Sequence, residues 1–125
     1  MEPVFLTKLI SQNNEWLSVR QSAIAQNIAN ANTPGFAAKD VEPFVSVMSK
    51  THLAMTATHD GHMGTGVDMP RTGDVEEART WQVTHSGNSV SLEQEMMKGG
   101  EVARSHSLNT SIAKSFHRMY LATLR

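Results

Sequence analysis

A chain of 125 residues has the length of one domain and enough side chains to bury a core. A formal charge of -1 and a pI near 6.6 exclude the clustered Lys/Arg surface of a nucleic-acid binder, and the low self-repulsion suits a subunit that packs against others. With no Cys there is neither a disulfide nor a thiolate metal site, and no apolar run approaches the ~20 residues needed to span a bilayer, so direct membrane insertion is excluded.

The first predicted element is a helix from Pro3 to Ala31. Leu6, Ile10, Leu17, Ile24, Ile28 and Ala31 recur in steps of three, four and seven, which holds them on one stripe, with Leu9, Trp16 and Ala23 on its flank. Pro3 suits the first turn, where its missing N–H costs nothing. The stop is Asn30-Ala31-Asn32-Thr33-Pro34-Gly35: Pro34 pushes Thr33 out of the helical region, and Pro-Gly favours a tight turn. The opening residues lack a basic region, a continuous apolar stretch and a small-residue cleavage site, so they do not read as a secretory signal peptide.

The middle, residues 36–90, reads differently. Short alternating pieces at Val41 to Val47 and at Trp81 to Val83 predict brief strands, while Lys50 to Gly73 is rich in Thr, His, Gly and Met without periodicity and reads as loop or extended chain.

A second helix is predicted from Ser91. Ser91-Leu92-Glu93-Gln94 has the spacing of a capping box, and Glu93 and Glu95 sit where the helix dipole favours negative charge. Leu92, Met96, Ala103, Leu108, Ile112, Phe116, Met119 and Thr123 trace its apolar stripe, and Lys114, His117, Arg118 and Arg125 match the negative pole. Gly99-Gly100 costs about 2 kcal/mol against alanines, predicting a weak point, a close helix approach or a short break.

The expected fold is mainly α: an antiparallel, coiled-coil-like pair of long N- and C-terminal helices with an extended, short-stranded or loop middle. Residues 1–35 hold the first helix and its turn, 36–90 the middle and 91–125 the second helix, the termini forming one helical domain. Packing is assigned to Leu17, Ile24 and Ile28 on the first helix and to Leu108, Ile112, Phe116 and Met119 on the second. Two helices make a thin core, so leftover apolar surface calls for neighbouring subunits.

The run Ser22-Ala-Ile-Ala-Gln-Asn-Ile-Ala-Asn-Ala-Asn-Thr-Pro-Gly-Phe36 is the most distinctive passage. A helix ending in Asn-x-Ala-Asn-x-x-Thr-Pro-Gly before an aromatic resembles the hallmark of the axial proteins of the bacterial flagellum. Here Asn27, Ala29, Asn30, Thr33, Pro34, Gly35 and Phe36 occupy the positions. Asn side chains near a helix end satisfy carbonyls without partners, Thr-Pro-Gly fixes the exit, and Asn27 beside the apolar stripe is a candidate register-setting amide. Thr58-His59-Asp60-Gly61-His62-Met63 and Gly87-Asn88-Ser89-Val90-Ser91-Leu92-Glu93-Gln94-Glu95-Met96, with the short length, resemble the basal-body rod proteins of the proximal-rod type. His106-Ser107-Leu108 and Gly99-Gly100 depart from that pattern.

The resemblance implies a non-enzymatic structural subunit of the flagellar basal body that needs no cofactor. It implies export without a cleavable signal, through the flagellar type III apparatus, to the periplasmic rod. The partners it implies are copies of the chain, other rod proteins, the adaptor joining rod to MS ring, and the export gate. Two rivals are a cytoplasmic helical adaptor and a metalloenzyme using His59 and His62 with Asp60 and His52 or His85. The histidines read instead as loop residues bonded to backbone or water. Ser86 or Ser91 beside His85 lacks a nucleophile-elbow pattern. Met48, Met55, Met63, Met69, Met96 and Met97 suit either core filling or adaptable contacts, and Trp16 and Trp81 read as packing anchors.

Overall fold

A computed structural model describes residues 3–49, 75–80 and 82–124. In chain order these form helix α1 (Pro3–Ala29), strand β1 (Lys39–Val41), helix α2 (Phe44–Ser49), strand β2 (Val75–Glu77) and helix α3 (Leu92–Thr123). The fold is mainly helical, with two long terminal helices packed together. Three cross-links fix their antiparallel sense: Asn109 reaches Asn13, Arg20 reaches Glu101 and Asn27 reaches Glu95.

The core lies toward the end of the pair where α1 stops. Trp16, Leu17, Ala23 and Ile24 of α1 are buried with Val41 of β1 and Val102 of α3, and Val19, Phe44 and Val47 pack against them. The Trp16 and Phe44 rings are tilted at 56° with centroids 6.0 Å apart, and the Trp16 indole N–H donates to the Glu42 carbonyl at 2.8 Å. The polar tip of the largest core side chain is thus satisfied.

Of the strand expected over Val41 to Val47, only Val41 is extended as part of a strand. Residues 39–41 are extended and pair antiparallel with 75–77, Lys39 opposite Glu77 and Val41 opposite Val75. Residues 44–49 are helical instead. Pro43 explains the switch: its fixed φ breaks the strand, and its carbonyl accepts the amides of Ser46 at 2.9 Å and Val47 at 3.2 Å. Helical spacing then turns Phe44 and Val47 together onto the core. The second expected strand is absent at residues 82–83, and Trp81 lies outside the described residues.

Helix α3 runs unbroken through Gly99-Gly100, so the expected break is not there. Nor is there a close approach, since a Cβ on either glycine would meet nothing within 4 Å. Buried Glu95 and Val102 anchor the helix on both sides of the pair and offset its low local propensity.

The capping box is not formed either. Ser91 is the N-cap but makes no side-chain bond to the helix amides; its hydroxyl donates to Glu93 at 3.0 Å, and Gln94 donates to the Arg79 carbonyl at 3.1 Å. The tertiary partner competes successfully for Gln94. Glu93 is held below the ordinary carboxylate range by its own backbone amide and then by the Ser91 hydroxyl. Lys114, His117 and Arg118 all precede the last turn, which carries no basic residue, and Arg125 lies outside the described residues.

Candidate assembly site

Helix α1 ends in a turn whose every bend has a hydrogen-bond reason. The Asn30 side chain donates to the Gln26 carbonyl at 2.8 Å, satisfying one of the last acceptors of the helix, and its oxygen accepts from the Thr33 hydroxyl at 3.2 Å. The Thr33 amide closes back on the Asn30 carbonyl at 3.0 Å, and Gly35 leaves the turn at φ 72°, a conformation that penalises any residue with a Cβ. Asn32, Thr33, Pro34 and Gly35 stay exposed while Phe36 is half-buried.

A second turn, residues 84–88, is stapled onto the first. The Asn88 side chain is buried, and its NH2 group serves three carbonyls: Asn30 at 2.9 Å, Ala31 at 3.0 Å and Thr33 at 2.7 Å. The Asn88 oxygen accepts the Val90 amide at 2.8 Å, which leads the chain toward α3. Gly35 N–H donates to the Ser86 carbonyl at 3.0 Å, and Ser89 N–H to the Phe36 carbonyl at 3.1 Å. Gly87 lies beside Gly35, where a Cβ would make an ordinary contact at 3.6 Å with the Gly35 Cα, and its φ of 78° is what favours glycine. One side chain thus holds together a turn and the approach to a helix more than fifty residues later.

Beneath these turns runs a buried polar chain. Asn27 is fully buried; its NH2 donates to the Lys39 carbonyl at 2.6 Å and to the Glu95 carboxylate at 3.0 Å, and its oxygen accepts the Lys39 amide at 2.9 Å. Glu95 also accepts from Lys98 at 3.0 Å, and Lys98 reaches Asp40 at 3.1 Å. Asp40 meets Arg20 at 3.3 Å, and Arg20 meets the exposed Glu101 at the same distance while stacking 5.3 Å from the Trp16 ring. Among the described residues no buried side-chain polar atom lacks a partner. The arrangement is one that holds a shape; nothing in it activates a nucleophile or gathers metal ligands.

The residues assigned to packing divide sharply. Leu17 and Ile24 are buried in the core, and Phe116 is half-buried. Ile28, Leu108, Ile112 and Met119 are 44, 60, 41 and 60% exposed and lie outside the buried core. The side of α3 that meets α1 instead follows a seven-residue spacing through Glu95, Val102, Asn109 and Phe116, two of them polar. Of the motif residues, Asn27 is buried and Asn30 half-buried, while Ala29, Thr33, Pro34 and Gly35 are exposed.

His59, His62, Asp60 and His52 lie outside the described residues, as do Met55, Met63 and Met69. His85 is exposed, and no group of three or more possible metal-ligating side chains converges among the described residues. The Ser86 hydroxyl shares a hydrogen bond with Thr84 at 2.9 Å, and Ser91 bonds Glu93. No described helix is long and apolar enough to cross a membrane.

The family described as Flagella basal body rod protein matches residues 16–36, the end of α1 and the whole turn. The chain is also 44% identical to the flagellar basal body rod protein FlgB of Agrobacterium fabrum over 135 aligned positions, covering 100% of this chain and 96% of that protein. The chain belongs to the flagellar basal body rod protein family. It is similar as well to the FlgB proteins of Escherichia coli, 28% identical over 74% of this chain and 72% of the relative, and of Proteus mirabilis, 26% over 85% and 83%.

As a member of that family the rod protein is a structural component of the flagellar basal body. Its most connected residues were partly hidden from sequence reasoning. The sequence motif around Asn88 assigns that residue no role, and Glu95 is legible only as an acid that matches the helix dipole. The signal that was available is positional: Asn88 precedes the α3 cap, and Glu95, Val102, Asn109 and Phe116 recur every seven residues.

Proposed function

We propose that this rod protein is a proximal rod subunit, exported through the flagellar type III apparatus without a cleavable signal and assembled on the periplasmic side of the inner membrane. Its partners are copies of itself, other rod proteins, the adaptor joining rod to MS ring, and the export gate. It works without catalysis, transmitting torque and walling the export channel, and its helical termini act as one unit.

The observation that carries this reading is the doubly stapled turn of residues 30–36, set in a chain that aligns along its whole length with a rod protein. A torque-bearing subunit needs a fixed angle where a helix hands over to the next segment. Asn88 fixes that angle with three hydrogen bonds, and the exposed Leu108, Ile112 and Met119 leave apolar surface for neighbours.

The test is complementation of a strain lacking the gene, scored by swimming, by electron microscopy of basal bodies and by export of the chain. Swimming cells with complete rods, containing protein whose first residues are intact, support the proposal. Complete rods in uncomplemented cells, or protein retained in the cytoplasm of swimming cells, would overturn it.

A further inference from the structure

Among the described residues, one face of the helix pair is covered for only half its length. At the core end Trp16 packs on Phe44, Lys98 on Asp40 and Gln94 on the Arg79 carbonyl, so residues 40–44 and 76–79 lie on the side of α3 that carries Gln94, Lys98 and Glu101. Five turns of an α-helix take 18 residues, so Ile112 repeats the direction of Gln94, and Met119 repeats that of Glu101. Leu108, seven residues past Glu101, lies close to the same line. On α1, Phe5 repeats the direction of Trp16 three turns earlier. The face that receives those residues therefore continues toward the other end as Phe5, Leu108, Ile112 and Met119, and there all four are exposed.

The two ends also differ in charge. No acidic residue follows Glu101 in the sequence, whereas Arg104, Lys114, Arg118 and Arg125 do. Arg104 stands one turn before Leu108 on the rim of this face, whereas Lys114 and Arg118, one turn apart, point away from it. At the core end Glu76 and Glu77 are exposed on β2, beside the exposed Val75. Within one chain residues 40–47 already dock on the helix pair by this chemistry, an apolar contact of Val41, Phe44 and Val47 flanked by Asp40 against Lys98 and Arg20.

We infer that the uncovered half-face of Phe5, Leu108, Ile112 and Met119 receives the acidic β2 end of a second copy of this chain, head to tail. The contact is heterologous: each added copy presents a fresh half-face and a fresh acidic end, so the contact propagates instead of closing as a two-fold dimer. The inference rests on the rod-subunit reading and adds which two surfaces meet between copies.

Because the chain has no Cys, single cysteines test this directly. Two differently tagged alleles are co-expressed in a strain lacking the gene, one carrying Leu108→Cys, Ile112→Cys or Met119→Cys, the other Val75→Cys on β2, and isolated basal bodies are oxidised or treated with a short thiol cross-linker. Mixed-tag dimers joining the two sets are expected, with Lys114→Cys as the off-face control. The charge arm uses Arg104→Glu, which should cut cross-linking by at least about fivefold and regain most of it when Glu76→Lys and Glu77→Lys are placed in the partner allele. Cross-links only among the half-face positions themselves, only to a protein of another mass, or none at all would overturn the inference. Swimming by the same cells keeps the rod-subunit reading separate, because rods that assemble without the mixed dimer sink the surface and spare the function.

Discussion

The Asn27 amide donates to the Glu95 carboxylate at 3.0 Å between two side chains that are both buried, joining the end of α1 to the start of α3 across 68 residues of sequence. Asn27 also pairs with both the carbonyl and the amide of Lys39, so one side chain sets the positions of α1, β1 and α3 together. Asn27→Ala strips a partner from a buried carboxylate and from two backbone groups. The expected loss is about 2 to 4 kcal/mol, read as faster amide exchange in α1 and α3 of the purified chain. Asn27→Asp should be worse at neutral pH, because it sets a second carboxylate against Glu95. Exchange rates unchanged in Asn27→Ala would mean the bridge is not a structural link.

Asn88 gives a sharper contrast between substitutions. Its NH2 group faces three carbonyl oxygens, so Asn88→Asp replaces a donor with an acceptor and turns attraction into repulsion. Asn88→Asp should therefore cost more than Asn88→Ala, itself about 2 kcal/mol, and both should accelerate proteolysis of residues 30–36. Equal effects of the two variants would show that the three contacts carry little energy.

The glycines fall into two classes with opposite expected signs. Gly35 and Gly87 hold φ of 72° and 78°, so alanine at either should destabilise by about 1 to 2 kcal/mol, and asparagine by less. Gly99 and Gly100 lie inside a helix with open space around them, so Gly99→Ala and Gly100→Ala should each stabilise α3 by roughly 0.5 to 1 kcal/mol. Helix content by circular dichroism during thermal melts checks both signs.

Ile24 and Ile112 separate folding from assembly. Ile24 is 3% exposed, so Ile24→Asp puts a carboxylate in the core and should unfold the core end of the isolated chain, at a cost of several kcal/mol. Ile112 is 41% exposed in the monomer, so Ile112→Asp should leave the exchange pattern of the isolated chain nearly intact and block incorporation into rods. Swimming cells carrying Ile112→Asp would remove that residue from the subunit contacts.

The isolated chain should also show graded protection. Amides near 16–27 and 92–102 flank the core and should exchange slowest, whereas those of 108–123 should exchange fast until a neighbour covers them. Uniform strong protection along α3 would contradict a thin core confined to one end.

The sequence by itself determined the two long helices, their antiparallel pairing, the Asn-Thr-Pro-Gly stop and the family, because helical periodicity and turn chemistry are local. Leu17 and Ile24 were legible as packing residues for the same reason. Which face of α3 turns inward was not legible. Counting apolar residues selects Leu108, Ile112, Phe116 and Met119, yet of these only Phe116 lies on the inward line, which it shares with Glu95, Val102 and Asn109. Glu95 and Asn109 are admitted to it because Asn27, Lys98, Asn13 and Asn14 meet their polar atoms, and those partners come from elsewhere in the chain or from the next turn. The same dependence turned Gln94 from a cap into a clasp on Arg79 and Asn88 into the staple of a distant turn. A buried polar group is favourable only once its partner arrives, and only the tertiary structure brings the partners together.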